Sequence, residues 1–210
     1  MSELADVIAE LNEDEAKRLV REKIDAGVEP MSIVDECRQG MDIVGERYKS
    51  KEYFLSELIV SGEIFKEAMA VVEPLLEGGK QAEPLSKMVL GTVKGDIHNI
   101  GKDIAGTLLT AAGFEVYDLG IDVAPGVFID KLVETGASIL GMSGLLTPSF
   151  ESMKEVVKGV EEAGLRGKVK IIVGGGIMTE QVGKYVGADA CTNDASEGVE
   201  MCKEFAKEAK

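Results

Sequence analysis

The sequence predicts a four-helix bundle followed by an α/β domain with a five-stranded parallel sheet, and three observations support this division. Residues 1–80 show only the apolar spacing of amphipathic helices. Residues 85–210 alternate short apolar runs with amphipathic helices, which is the pattern of a doubly wound sheet. Residues 78–84, between them, read Gly-Gly-Lys-Gln-Ala-Glu-Pro and have the composition of a linker. We therefore expect two domains, at 1–80 and 85–210.

In the first unit, four apolar stripes with steps of three and four residues each predict one helix. The stripes run from Leu4 to Leu11, from Ala16 to Ile24, from Val34 to Tyr48 and from Leu55 to Leu76. Gly27 is typical of a helix end, and Pro30 and Ser32 are typical of a helix start. Short connections between four such helices indicate a small antiparallel bundle.

In the second unit, five short runs predict the strands of the sheet, and Gly113, Gly136 and Gly164 mark the turns that follow three of the helices. The predicted strands are 87–93, 115–118, 138–143, 169–173 and 188–191. The predicted helices are near 101–112, 126–136, 149–163, 178–185 and 195–209. For five parallel strands we predict the flavodoxin-like order 2-1-3-4-5, a Rossmann-like arrangement.

Composition and charge narrow the classes of function. The net charge of −15 over 210 residues argues against nucleic acid and anionic membrane surfaces as partners. The absence of tryptophan and the low aromatic content argue against base-stacking platforms. The acidic start of the chain lacks the layout of a signal peptide, and no apolar run approaches the roughly 20 residues that span a bilayer. Three scattered cysteines, Cys37, Cys191 and Cys202, suit a reducing compartment, so we expect a cytoplasmic protein.

Three chemically distinctive segments follow the first, third and fourth predicted strands. The first carries Asp96, His98 and Gly101; the second is Ser143-Gly-Leu-Leu-Thr147; the third is the run Gly174-Gly175-Gly176. The predicted strand order makes these three strands neighbours, so their loops meet at the carboxyl edge of the sheet, where open α/β sheets bind ligands. Glycine there leaves room for a ligand to approach the backbone.

His98 is the only histidine in the chain. Taken alone, it is more simply a surface histidine, and the three glycines an ordinary loop. A metal-binding imidazole usually donates its second ring N–H to a carboxylate, and Asp96 is two residues away. A zinc site needs three or four protein ligands. Since the chain has no second histidine, a metal at His98 would need a cofactor to supply its other ligands, which favours a macrocycle.

These motifs resemble the signature of cobalamin-binding domains: Asp96-x-His98-x-x-Gly101, then Ser143-x-Leu145, then Gly174-Gly175. The stretch 143–149 is similar to the methionine synthase and corrinoid-protein branch. The segment 48–58 resembles the helical cap module of methyl-transferring members. The length and two-part layout resemble the small corrinoid proteins of methylamine, methanol and aryl-ether methyltransferase systems, and the resemblance covers essentially the whole chain.

The resemblance implies a cobalamin or related corrinoid bound base-off, with His98 as the lower ligand of cobalt. It implies that Asp96 bonds the far nitrogen of His98 and that Ser143 extends this relay. The remaining residues implied to bind the cofactor form three groups. They are Asn99, Ile100 and Gly101 beside the histidine; Leu145, Thr147, Gly174, Gly175 and Gly176 along the nucleotide tail; and Asn193, Asp194 and Ala195 at the corrin edge.

The resemblance further implies that Tyr48, Phe54, Leu55 and Leu58 cover the methyl-bearing face of the cofactor, although Phe54, Leu55 and Leu58 each also suit the core of the bundle. The implied function is a methyl carrier that is not catalytic by itself. Its implied partners are a substrate:corrinoid methyltransferase, a corrinoid:tetrahydrofolate or corrinoid:thiol methyltransferase, and a reductive activating protein. The alternatives are the cobalamin subunit of a radical mutase, a cobalamin-dependent sensor, and a cofactor-free flavodoxin-like regulator. The sequence does not name the methyl donor.

Overall fold

The computed structural model describes residues 2–76 and 84–208. Contacts within the chain divide it into two compact units, Met1–Glu83 and Pro84–Lys210. Six residues of the predicted linker, 78–83, lie outside the described residues. Among the described residues, no helix combines the length and the apolar character needed to cross a membrane.

The first unit is helical, and the prediction of four helices there is confirmed. The helices are α1 (Glu3–Ala9), α2 (Glu13–Asp25), α3 (Pro30–Lys49) and α4 (Leu55–Leu76). Side chains cap the first two helices: Ser2 accepts a hydrogen bond from the N–H of Ala5, and Asn12 accepts one from the N–H of Glu15. Helix α3 packs against α1 and α4, and α2 packs against α4, which encloses an apolar core.

The buried stripe of helix α4 is displaced around the helix from the stripe that its sequence predicts. Leu58, Phe65, Met69 and Val72 are buried as expected, and Ser61, Ile64 and Ala68 complete the stripe. The apolar stripe that begins at Leu55 also contains Ile59, but these two residues are 49% and 42% exposed. Leu58, Phe65 and Val72 follow a seven-residue spacing, and Ile59 lies beside the row that they form. Leu55 is the first residue of the helix and precedes the first buried position.

The turn between α3 and α4 is fixed to the end of α1. The guanidinium of Arg47 and the hydroxyl of Tyr53 both donate to the carbonyl oxygen of Ala9, over 2.8 and 2.7 Å. Arg47 also donates to the Tyr53 hydroxyl over 2.8 Å. The N–H of Phe54 donates to the Glu57 carboxylate over 2.8 Å, which caps the start of α4. Phe54 is thereby held on a hydrogen-bonded turn with 66% of its surface exposed.

The second unit alternates strands and helices. The strands are β1 (Lys87–Thr92), β2 (Glu115–Asp118), β3 (Ile139–Ser143), β4 (Lys170–Gly174) and β5 (Ala190–Thr192). The helices are α5 (Ile100–Ala111), α6 (Pro125–Thr135), α7 (Ser149–Glu162), α8 (Glu180–Val186) and α9 (Ala195–Glu208). The sheet is parallel throughout, in the order β2-β1-β3-β4-β5. The predicted fold class and strand order are confirmed.

The starts of two elements differ by two residues from those predicted, for local reasons, and the other boundaries agree to within one residue. Helix α8 begins at Glu180 instead of 178, because the Thr179 side chain accepts a hydrogen bond from the N–H of Val182 and caps the helix there. Strand β5 begins at Ala190 instead of 188, because the N–H of Ala188 still bonds the carbonyl of Gly183 in the turn that ends α8.

Helices cover both faces of the sheet, so the strands are buried on both sides. Helices α6 and α7 lie on one face, where Phe128 and Met153 pack against Val89, Leu140 and Met142. Helices α5 and α9 pack against each other and against β1 and β4 on the other face. Because β-strand side chains alternate between faces, Ser143, next to Met142, belongs to the α5 and α9 face.

The cysteines give a first prediction. Burial raises the pKa of Cys37 and of Cys202 to about 12, and the less buried Cys191 also has a raised pKa. At pH 8 a thiol with a pKa near 12 has a thiolate fraction of roughly 10⁻⁴, and the thiolate is the reactive form. We therefore expect at most one of the three thiols, Cys191, to react with an aromatic disulfide reagent before the protein unfolds.

The denatured chain, in which all three thiols react, calibrates the measurement. Rapid reaction of two thiols in the native protein would contradict the burial of Cys37 and Cys202.

Candidate cofactor site at the carboxyl edge of the sheet

The loop between β1 and α5 places Asp96 and His98 at the carboxyl edge of the sheet. The N–H of Asp96 bonds the carbonyl of Val93, and the hydroxyl of Thr92, the last residue of β1, donates to the carbonyl of His98 over 3.1 Å. Because β3 is the neighbour of β1, its following loop reaches the same point. The predicted convergence of these two loops is therefore observed.

Asp96 is fully buried and accepts five hydrogen bonds. Its Oδ1 accepts the main-chain N–H of His98 over 3.0 Å and lies 2.7 Å from His98 Nδ1. Its Oδ2 accepts the N–H groups of Leu145 (2.6 Å) and Leu146 (3.2 Å) and the hydroxyl of Ser149 (2.8 Å). Burial alone would raise the pKa of Asp96, but the hydrogen bonds from His98, Leu145 and Ser149 outweigh it and hold this pKa well below its usual range. Asp96 is therefore an ionised acceptor.

The ionised carboxylate determines which nitrogen of His98 is available. Since Asp96 can only accept at this contact, Nδ1 of the imidazole carries the proton and Nε2 has the free lone pair. The His98 side chain is 48% exposed. Within the described part of the chain, Nε2 makes no hydrogen bond. An imidazole oriented by a carboxylate, with Nε2 open, is the usual form of a histidine metal ligand.

The hydroxyl that donates a hydrogen bond to Asp96 belongs to Ser149 and not to Ser143. The expected relay from His98 through Asp96 to Ser143 is therefore corrected. Ser143 ends β3, in register with Thr92 and Gly174, on the face of α5 and α9. Ser149 is the buried first residue of α7, which covers the opposite face. The turn of residues 144–148 reverses the direction of the chain and brings Ser149 to the carboxylate. The sequence signal was the predicted helix start at Thr147-Pro148-Ser149.

The glycine-rich turn after β4 packs closely on the turn after β3. Gly175 has a φ of 142°, and a Cβ on it would lie 2.0 Å from the carbonyl oxygen of Gly144. The N–H of Gly144 in turn donates to the carbonyl of Gly174. Glycine is thus required at position 175 because the main chain of Gly144 lies too close for a side chain. At Gly174, by contrast, a Cβ would meet nothing closer than 3.7 Å.

Exposed apolar side chains lie on the His98 loop and on the two neighbouring loops, and we call them the apolar rim. Ile97 and Ile100 are 68% and 60% exposed, and Leu145, Leu146 and Ile177 on the neighbouring loops are also exposed. At Gly101, a Cβ would meet no atom within 4 Å. Apolar side chains clustered around one open imidazole nitrogen suit a ligand with a broad apolar face.

The other residues predicted to bind the cofactor in this unit lie at or near the same edge. Asn99 precedes α5 and donates to Asp103 over 2.8 Å, and Thr147 is exposed in the turn before α7. Asn193, Asp194 and Ala195 follow β5, and Asp194 caps α9 by accepting from the N–H groups of Ser196 and Glu197. That cap gives Asp194 a structural role in its own right.

The four predicted cap residues belong to the helical unit. Phe54 and Leu55 are exposed and Tyr48 is half-buried, so all three have surface available. Leu58 is buried among the helices of its own unit, which makes it a core residue and leaves it little surface for a cofactor.

Sequence reasoning missed Lys102, in the first turn of α5. Its side chain is only 2% exposed, and its ammonium bonds Asp103 and Asp118, the last residue of β2. Burial would lower the pKa of Lys102, but the two carboxylates raise it above its ordinary value. The bond to Asp118 ties the start of α5, next to His98, to β2. No local pattern pairs residues 102 and 118, so only the fold reveals the contact.

The metal-binding side chains at this edge fit a metal ion that is already bound to most of its ligands by a cofactor. Among the residues that the structure describes, no group of three or more histidine, cysteine, aspartate or glutamate side chains could hold a metal ion. His98 offers one nitrogen, and the apolar rim around it offers contact to a large planar group. A metal in a macrocycle needs only one such axial ligand from the protein.

Comparison with known proteins decides which family this site belongs to. The B12 binding domain family matches residues 86–203, and a second family of the same description matches residues 2–73. The chain belongs to the B12-binding corrinoid proteins. This corrinoid protein is 37% identical to the dimethylamine corrinoid protein of Methanosarcina barkeri over 206 residues, which cover 98% of this chain and 96% of the relative.

Two solved structures resemble this corrinoid protein along nearly its whole length. A cobalamin-binding protein from Desulfitobacterium hafniense DCB-2 has a TM-score of 0.79 at 38% identity, over 96% of each chain. The monomethylamine corrinoid protein of Methanosarcina barkeri has a TM-score of 0.54 at 31% identity, over 97% of this chain and 96% of the other. The recognition of a cobalamin-binding fold from the Asp-x-His-x-x-Gly pattern is confirmed.

Proposed function

We propose that this corrinoid protein carries a methyl group on cobalt between two methyltransferases. The observation that supports this most directly is the Asp96–His98 pair, which presents one oriented imidazole nitrogen at the carboxyl edge of the sheet. The unit that contains this pair matches the B12 binding domain family over residues 86–203. Relatives named for dimethylamine and monomethylamine support methylamines as the class of methyl donor.

In this proposal His98 Nε2 is the lower ligand of a corrinoid bound base-off. Asp96 holds the proton on Nδ1 and thereby keeps the lone pair on Nε2. Ile97, Ile100, Leu145 and Leu146 exclude water from the lower side of the ring. A bound corrinoid would supply a metal centre that accepts and releases a methyl group, while the protein supplies position and electronics.

We further propose that residues 1–80 form the cap domain and residues 85–210 the cofactor domain. Phe54 and Leu55, together with Tyr48, are the candidates for covering the methyl-bearing side, because they remain exposed on their own unit. Leu58 is set aside on account of its burial. The Arg47 and Tyr53 contacts that fix the α3–α4 turn would keep Phe54 in place for that role.

The partners in this proposal are a substrate:corrinoid methyltransferase that loads the methyl group and a corrinoid:tetrahydrofolate or corrinoid:thiol methyltransferase that removes it. A reductive activating protein would return oxidised cobalt to the working cycle. The charge of −15 favours partners with basic contact surfaces.

Methyl loading tests the proposal. The full chain is reconstituted with hydroxocobalamin, reduced, and mixed with a methylamine:corrinoid methyltransferase and mono-, di- or trimethylamine. We expect the absorption spectrum to change from the reduced to the methylated form with one of the three amines, and only when the methyltransferase is present. If none of them loads the protein but adenosylcobalamin binds and supports radical rearrangement with a partner subunit, the function is that of a mutase subunit.

A further inference from the structure

The turn that follows β2, residues 119–123, runs alongside the end of β1, and we name it the support turn. The N–H of Leu119 donates to the carbonyl of Leu90 over 2.8 Å. The N–H of Thr92 donates to the carbonyl of Gly120 over 2.9 Å, and the N–H of Val123 donates to the carbonyl of Thr92 over 3.0 Å. The support turn is therefore paired with β1 up to the point where the His98 loop begins.

Asp122 extends this pairing into the His98 loop with two more hydrogen bonds. Its main-chain N–H donates to the carbonyl of Asp96 over 3.0 Å. Its carboxylate accepts the N–H of Gly95 over 2.7 Å. Asp122 thus bonds the two peptide groups on either side of the Gly95–Asp96 dipeptide, and Asp96 is the residue that orients His98.

The backbone of Asp122 is unusual and points to the same role. Its φ is 53°, and only two other non-glycine residues in the described ranges, Leu11 and Lys51, have a positive φ. Aspartate and asparagine tolerate this left-handed conformation better than other side chains do, but it still costs free energy relative to glycine. Aspartate here retains the carboxylate that glycine would lack, and that carboxylate bonds Gly95.

A continuous path leads from Asp122 to the imidazole. Asp122 fixes the main chain of Gly95 and Asp96, and Asp96 bonds both the N–H and the ring of His98. The carbonyl of His98 is held separately by Thr92, whose own N–H and carbonyl both bond the support turn. The position of His98 is thus defined from both ends by the support turn.

We propose that Asp122 is a positioning residue for His98. Its carboxylate holds the loop at Gly95, which keeps Asp96 where it can orient the imidazole, and so determines how firmly His98 coordinates the corrinoid metal. The first part concerns the protein alone, and the second rests on the proposed function.

The test compares Asp122→Ala, Asp122→Gly and Asp122→Asn in the full chain. Hydrogen exchange of the Gly95 N–H in the protein without cofactor measures directly how firmly the loop is held. We expect the Gly95 N–H to exchange about tenfold faster in the alanine and glycine variants, because each loses the acceptor. Asparagine keeps a side-chain oxygen and tolerates the left-handed backbone, so we expect it to restore wild-type exchange. Asp130→Ala, on the exposed side of α6, is the matched control and should leave this exchange unchanged.

The second readout is the electron paramagnetic resonance spectrum of the reconstituted cobalt(II) protein. The fraction showing splitting by an axial nitrogen should fall in Asp122→Ala and Asp122→Gly and recover in Asp122→Asn. Wild-type exchange at Gly95 in both the alanine and glycine variants would overturn the proposal. Rescue by glycine but not by asparagine would also overturn it, since the backbone conformation and not the carboxylate would then matter. If the wild type itself lacks the nitrogen splitting, the axial-ligand function fails, while the exchange result still decides the role of Asp122 in the loop.

Discussion

Replacing His98 by alanine is expected to remove the axial nitrogen from the cobalt of the reconstituted protein and to weaken corrinoid binding at least about tenfold. Because His98 is the only histidine, labelling the chain with ¹⁵N-histidine marks this imidazole alone. In the cobalt(II) form of the wild type, the nitrogen splitting should therefore change from the three-line pattern of ¹⁴N to the two-line pattern of ¹⁵N. The cofactor's own base remains ¹⁴N and cannot imitate this change.

Lys184→Ala is a suitable control for His98→Ala, since Lys184 is an exposed residue of α8 paired only with the equally exposed Glu180. We expect it to keep the wild-type spectrum and affinity. A three-line pattern that persists after labelling would mean that the cofactor's base and not His98 binds the cobalt. An unchanged spectrum in His98→Ala would lead to the same conclusion.

Replacing Asp96 by alanine is expected to destabilise the α/β unit by about 3–5 kcal/mol even without cofactor. The substitution leaves the N–H groups of Leu145 and Leu146 and the hydroxyl of Ser149 without their acceptor in a buried place. Asp96→Asn should cost less, because one oxygen remains. The measurement is urea unfolding followed by far-ultraviolet circular dichroism, with hydrogen exchange of β1 and β3 amides to assign the loss to this unit. A loss below about 1 kcal/mol would contradict the five-bond environment of Asp96.

The difference in unfolding free energy between wild type and Asp96→Ala should depend on pH, because the folded protein lowers the pKa of Asp96. Its ordinary value is 3.8, and the folded protein holds it lower, so the ionised carboxylate contributes stability above pH 3.8. This contribution is lost as the pH falls below 3.8 toward the folded pKa. The stability difference between wild type and Asp96→Ala should therefore be constant near neutrality and shrink in acid. Asp130→Ala should show no comparable change.

The sequence was sufficient for the strands and for the Asp96–His98 pair because both depend on local patterns, and the strand order then followed from the common arrangement of five parallel strands. Apolar runs and helical spacing define the elements, and two residues in one loop are close in any fold. The assignment of the relay hydroxyl to Ser143 was wrong, because the hydroxyl that bonds Asp96 depends on how a five-residue turn redirects the chain, which spacing does not encode. Asp122 and Lys102 were missed because the contacts Asp122–Gly95 and Lys102–Asp118 join residues 27 and 16 positions apart. The exposure of Leu55 and Ile59 was not predicted because apolar spacing alone does not show which of two adjoining rows of a helix faces the neighbouring helices.

The two oxygens of Asp96 have unequal numbers of hydrogen-bond partners, and this affects how freely the imidazole of His98 can move. Oδ2 is held by three donors from the segment after β3, whereas the imidazole depends on Oδ1 alone. The ring can therefore rotate away at the cost of one side-chain hydrogen bond, while the carboxylate stays in place. The return of the imidazole to Asp96 then requires only a rotamer change of His98 and no refolding of the loop. For an exposed side chain such a change takes picoseconds to nanoseconds. Repeated release and recapture of a metal would leave the protein backbone unchanged from one turnover to the next.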